Sequence, residues 1–93
     1  MIDLTATVIT YNEEENIRDC LESLSWVPNI IVLDSGSTDR TVEIAREFTE
    51  HVQVTDWPGH VEQKNRAIAL ASTDWIISID ADERISAELR EEI

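Results

Sequence analysis

The chain has 93 residues, 7 of them Lys or Arg and 20 Asp or Glu, for a formal charge of −13 with both histidines neutral. A chain of this length buries about 60–65% of its unfolded surface, which supports one domain over residues 1–93 and excludes a second lobe. The acid excess argues against a nucleic-acid partner or an anionic membrane surface, since neutralising phosphates takes Lys and Arg. The single cysteine, Cys20, excludes an internal disulfide framework and a Cys-based zinc cluster, and it agrees with a reducing compartment. No apolar run approaches the ~20 residues of a membrane span, and Met1-Ile2-Asp3 lacks the basic region of a secretory signal, so a soluble, cytoplasmic protein is expected.

In chain order, Leu4 to Thr10 is β-branched and apolar and predicts a strand. Asn12, with Glu15 three residues on, resembles a capping box opening a helix, and Ile17, Cys20, Leu21 and Leu24 fall on one face of that helix. Trp26-Val27-Pro28 ends it. Ile30 to Leu33 is a short continuous apolar run, suited to a strand covered on both faces. A second helix is expected over 39–50 with Val42, Ala45 and Phe48 inward, followed by a short strand at 52–54. Trp57-Pro58-Gly59 breaks the pattern, a third helix covers 61–71, and 75–79 is another apolar strand ending in Asp80-Ala81-Asp82-Glu83. From Ser86 onward, Leu89 and Ile93 at four-residue spacing predict a last helix.

Strands alternating with helices through short turns predict an α/β fold, a parallel sheet with helices on both faces. Such sheets bind ligands beyond the carboxyl ends of their strands. The residues of interest are therefore Thr10-Tyr11-Asn12-Glu13, Asp34-Ser35-Gly36, Thr55-Asp56 and Asp80-Ala81-Asp82. Asp80 and Asp82, at i and i+2 after a strand, can share a hard divalent cation, magnesium or manganese, whose remaining positions go to water and phosphate. The plainer alternative is a turn cap followed by a solvated acidic helix end. Asp34 can accept a hydrogen bond from a ribose or base, or it can hold the Ser35-Gly36 bend as an Asx turn. Lys64 shares a stripe with Ala67, Ile68 and Ala71, so it either meets a diphosphate at the strand ends or snorkels to solvent. Tyr11 can stack on a base or pack at the sheet edge. Trp57 reads first as a loop anchor and second as a sugar platform. The Glu13-Glu14-Glu15 run matches a helix dipole, and neither His51 nor His60 has a partner pattern. No P-loop, glycine-rich dinucleotide fingerprint or nucleophile elbow is present.

Four segments together carry a resemblance: 8–14 (VITYNEE), 31–41 (IVLDSGSTDRT), Gln63-Lys64-Asn65 and Asp80-Ala81-Asp82-Glu83. In this order and spacing they resemble family 2 glycosyltransferases, nearest the branch that includes lipopolysaccharide-core glucosyltransferases. The resemblance implies the Rossmann-like, nucleotide-binding half of a GT-A fold. It implies that Thr10, Tyr11, Asn12 and Glu13 surround the nucleotide base, that Asp34 lies at the nucleoside, and that Asp80 and Asp82 hold ribose and a divalent metal on the donor diphosphate. Ser35 stands where many members carry a second Asp that can contact the base, normally uracil, a departure that bears on base recognition.

The implied reaction is transfer of a sugar from a nucleotide diphosphate sugar to a glycan or lipid-linked acceptor with inversion, as in lipopolysaccharide or envelope polysaccharide synthesis. No membrane span is expected in this chain, and peripheral association with a membrane is open to the full-length enzyme. The family's general base lies well downstream of Asp-x-Asp, and Ile93 is 11 residues beyond Asp82. The expectation is thus the donor-binding part of a longer enzyme, inactive alone. A non-catalytic nucleotide-binding module explains the same residues. A receiver-like domain shares the layout but needs an acidic pair where Thr10-Tyr11-Asn12 stands, and a sugar nucleotidyltransferase needs a glycine-rich basic loop that is missing here.

Overall fold

A computed structural model describes residues 3–82. Its elements are β1 (Leu4–Thr10), α1 (Ile17–Ser23), β2 (Asn29–Asp34), α2 (Thr41–Ala45), β3 (Val52–Val54), α3 (His60–Leu70) and β4 (Trp75–Asp80). The four strands form one sheet in the order β3-β2-β1-β4, every pair parallel. The predicted α/β parallel sheet is therefore observed. The expected last helix, with Leu89 and Ile93, lies outside the described residues.

Every residue of β1 is buried, as a strand with neighbours on both sides and helices on both faces requires. Leu4, Ala6 and Val8 alternate onto one face and join Ile17, Cys20, Leu21 and Leu24 of the α1 segment with Ile44 and Ala45 of α2. On the other face Ile9 and Leu33 pack against Ala67 of α3. Cys20 is an ordinary core residue. The buried hydroxyls on this second face find partners: Thr5 Oγ1 lies 2.7 Å from Thr73 Oγ1, and Thr7 Oγ1 donates to the Ile77 carbonyl at 3.4 Å.

Four local expectations are corrected. Asn12 does not open α1: it sits at φ 50°, and the helix begins at Ile17 after a turn in which the Asn16 and Ile17 amides donate to the Glu13 carbonyl. Asn12 Oδ1 instead accepts the Thr38 amide at 2.8 Å, a long-range bond that outweighs local capping. The regular part of α2 is five residues, and Ile44 rather than Val42 is buried, while Phe48 packs at the margin of the core. The buried stripe of α3 runs through Gln63 and Ala67, not Lys64 and Ile68, because the glutamine's polarity hides its inward position from a hydropathy reading. Finally, the apolar run at 75–79 is not covered as 30–33 is: β4 lies at the sheet edge among the described residues, with Trp75 68% exposed, whereas β1 and β2 are the interior strands.

Candidate functional site

The strand register brings the chain's polar loops to one edge. Thr10 pairs with Asp34, Ile9 with Asp80, and Asp34 with Val54, so the loops after all four strands leave from the same level of the sheet. Backbone bonds extend that level by one residue: the Ser35 amide donates to the Thr10 carbonyl, the Thr55 amide to the Asp34 carbonyl and the Ala81 amide to the Ile9 carbonyl, at 3.0, 2.7 and 3.1 Å. The backbone of the carboxyl edge is thus hydrogen-bonded one residue beyond the strands.

An open cleft of about 220 Å³ lies there, lined by Thr10, Tyr11, Glu13, Trp57, His60, Asp80 and Asp82. Its charge is arranged across α3 and β4. Asp80 Oδ1 is 3.6 Å from Lys64 Nζ and 3.8 Å from His60 Nε2. His60 and Lys64 are one helical turn apart, which places both above the same carboxylate. Trp57 meets the His60 ring edge-on at 6.4 Å between centroids. A second cleft of about 380 Å³ continues past Tyr11 and Trp57 to Ser35. Both aromatics are half-exposed, at 54% each, so their ring surface is available to a ligand. Trp57 thus keeps a contact with His60, as a loop anchor would, and also presents ring surface to the cleft.

Asp34 is placed differently. Its carboxylate is fully buried and accepts the Gly36 and Ser37 amides at 3.0 and 2.8 Å and the Ser37 hydroxyl. It is an Asx-turn residue that shapes the loop after β2. Asn12 likewise faces the loop rather than the cleft: its amide donates to Ser37 Oγ at 2.7 Å while its side chain accepts from Thr38. The Glu13 amide donates to Thr41 Oγ1 and the Glu14 amide to Asp39 Oδ2, at 2.9 and 3.2 Å, completing a seam between the loops after β1 and β2. Asp39 closes that seam. Burial pushes its carboxyl up, and donation from the Thr41 hydroxyl, the Thr41 amide and the Glu14 amide outweighs this and holds it below the usual aspartate value.

Of the residues singled out by sequence, the cleft brings together Thr10, Tyr11, Glu13, Asp80 and Asp82, with Lys64 on Asp80 and Ser35 in the adjoining cleft. Sequence reasoning missed His60 and Gln63. The available signal for His60 was its four-residue spacing from Lys64 at the start of α3.

A divalent ion fits the chemistry of this donor set to a limited extent. Asp80 and Asp82 both line the cleft, and no group of three His, Cys, Asp or Glu suited to a metal occurs among the described residues. Two carboxylates in an open cleft suit a hard ion that takes its other ligands from water and phosphate, and do not suit zinc, which wants nitrogen or sulfur.

A parallel α/β sheet whose loops form a cleft at its carboxyl edge belongs to the class of folds that bind ligands beyond the strand ends. The sequence matches Glycosyl transferase family 2 over residues 5–93, and the chain belongs to that family. It is 45% identical over 94 residues to an uncharacterized glycosyltransferase of Rickettsia felis, an alignment that takes in all of this chain and 33% of that protein. It is 36% identical over 95 residues to the lipopolysaccharide core biosynthesis glycosyltransferase LpsC of Rhizobium meliloti, covering 97% of this chain and 35% of the relative. The chain therefore spans about one third of the length of the curated relatives it matches. The fold is similar to part of Staphylococcus aureus TarS, residues 1–349, solved in complex with UDP: the TM-score is 0.76 at 23% identity, over 98% of this chain and 30% of that one. No helix among the described residues is long and apolar enough to cross a membrane.

Proposed function

We propose that this chain is the donor-binding part of an inverting glycosyltransferase that takes a UDP-sugar and serves a glycan or lipid-linked acceptor in lipopolysaccharide or envelope polysaccharide synthesis, in the cytoplasm. The observation that carries the reading is the convergence of Tyr11, Trp57, Lys64, Asp80 and Asp82 on one edge of the sheet. The aromatics supply surface for a base, and Lys64 supplies positive charge at the level where a diphosphate would lie. Asp80 and Asp82 would hold a magnesium or manganese ion, which when bound neutralises charge on the departing diphosphate. Similarity to LpsC supports the acceptor class, and the UDP complex of TarS supports the nucleotide. Proton removal from the acceptor is assigned to no described residue, so this part alone is expected to show no turnover.

The test follows from charge. A chain at −13 with acidic groups in the cleft repels a diphosphate until a cation reverses the local field, and linkage makes each ligand tighten the other by the same factor. Calorimetric titration of UDP with manganese and with EDTA should show a coupling of about 1–3 kcal/mol, abolished in Asp82→Asn. Equal UDP affinity with and without metal would reduce Asp80-Ala81-Asp82 to a structural turn.

A further inference from the structure

Gln63 is fully buried on α3, and Ala67, one turn on, is the other buried residue of that helix. Ala67 packs against Ile9 and Leu33, but an alanine offers little apolar area, which leaves much of the placement of the helix to polar contacts. Gln63 supplies them. Its Nε2 donates to Ser35 Oγ at 3.1 Å and to Thr55 Oγ1 at 2.8 Å. Both acceptors stand on backbone that is itself hydrogen-bonded to the sheet, the Ser35 amide to the Thr10 carbonyl at 3.0 Å and the Thr55 amide to the Asp34 carbonyl at 2.7 Å. The Thr55 hydroxyl gives its proton to the Asp56 carbonyl at 2.9 Å, so toward Gln63 it accepts, and the amide nitrogen belongs on this side. One side chain thus ties the first turns of α3 to the ends of β2 and β3.

His60, Gln63, Lys64 and Ala67 stand at i, i+3, i+4 and i+7, so they form two adjacent ridges of the helix. The ridge of Gln63 and Ala67 faces β1, β2 and the loops beyond them. The ridge of His60 and Lys64 reaches the other way, to β4, with Nε2 3.8 Å and Nζ 3.6 Å from Asp80 Oδ1. A rotation or shift of α3 moves both ridges together. We infer that Gln63 is a positioning residue: by clamping α3 to the ends of β2 and β3, it sets Lys64 over the mouth of the cleft on the β4 side. The inference rests on the nucleotide reading above, in which Lys64 meets the diphosphate. It adds a residue that lines neither cleft and acts through Lys64.

The experiment is titration of the 93-residue chain by UDP and by uridine, with manganese present, in the parent, Gln63→Met, Lys64→Met and the double variant. Gln63→Met keeps an unbranched side chain and removes both amide hydrogen bonds, so it should bind UDP about threefold to tenfold more weakly than the parent. In the Lys64→Met background the same substitution should change UDP affinity by less than about twofold, because a displaced lysine and a missing one are equivalent. Uridine, which carries no phosphate for Lys64, should bind the parent and Gln63→Met alike. A merely structural role, or one carried through Ser35, would weaken uridine too and would persist without Lys64. If Gln63→Met fails to fold, Thr55→Val, which removes the 2.8 Å acceptor, takes its place in the same cycle with the same expectations. UDP affinity equal to that of the parent, or a loss that persists in the Lys64→Met background or extends to uridine, overturns the inference and leaves the nucleotide reading standing. A parent that binds no UDP overturns the nucleotide reading, and this inference with it.

Discussion

Lys64 Nζ lies 3.6 Å from Asp80 Oδ1, each side chain about one-third exposed, so the first turns of α3 and the carboxyl end of β4 share a charge pair at the mouth of the cleft. A pair this accessible contributes little to stability, about 0–1 kcal/mol. Its positive member is available to a competing anion. Lys64→Met is thus expected to leave thermal stability nearly unchanged and to weaken UDP binding in manganese about tenfold, as loss of a charge-assisted contact does. Calorimetry of the parent and the variant reads both quantities, and an unchanged UDP affinity would remove Lys64 from the phosphate site.

Asp34 should behave in the opposite way. Its buried carboxylate serves three donors of the 36–37 segment, so Asp34→Ala leaves those donors without their acceptor. A loss of about 2–3 kcal/mol is expected, with Asp34→Asn intermediate because one oxygen remains. For a domain of this size the alanine variant should melt on the order of 10–20 °C lower. A melting temperature within a few degrees of the parent would mean that the loop holds itself without the carboxylate.

Trp57→Ala separates anchor from platform. A tryptophan that is 54% exposed contributes modestly to the fold, and the expected stability change is within about 1 kcal/mol. If its ring carries a stacked base or sugar, UDP affinity should fall about tenfold. Large destabilisation with intact nucleotide affinity would leave Trp57 as an anchor only.

The seam at Asp39 predicts acid sensitivity. Its folded carboxyl lies below the ordinary aspartate value near 4, so the unfolded chain binds more protons as pH falls through that region. The stabilisation is fully present above about pH 4 and is lost as pH falls through the lower, folded value. Glu47, with the Arg18 hydrogen bond, and Asp56, with the Arg66 hydrogen bond, are lowered in the same sense at the exposed surface. Melting temperature should therefore fall on acidification below about pH 4, and Asp39→Asn should show a shallower fall than the parent. Parallel curves for the two proteins would exclude Asp39 as a contributor.

The fold class was readable from the amino-acid order, because burying a strand on both faces demands a run such as 30–33 and burying one helix face demands spacing such as Ile17, Cys20, Leu21 and Leu24. The parallel connection then put the strand ends, and with them Thr10, Asp34 and Asp80, on one edge. What the tertiary structure decided was the direction and company of the polar side chains. Asn12 and Asp34 turn into the loops and away from the cleft, through bonds to residues 37 and 38 or 36 and 37. Gln63 is buried by partners 8 and 28 residues away, and His60 meets Asp80 across the gap between α3 and β4. Hydropathy periodicity records how often the chain turns apolar groups toward the core. It carries no information about which hydroxyl a buried amide will reach, since that depends on where two other loops end in space.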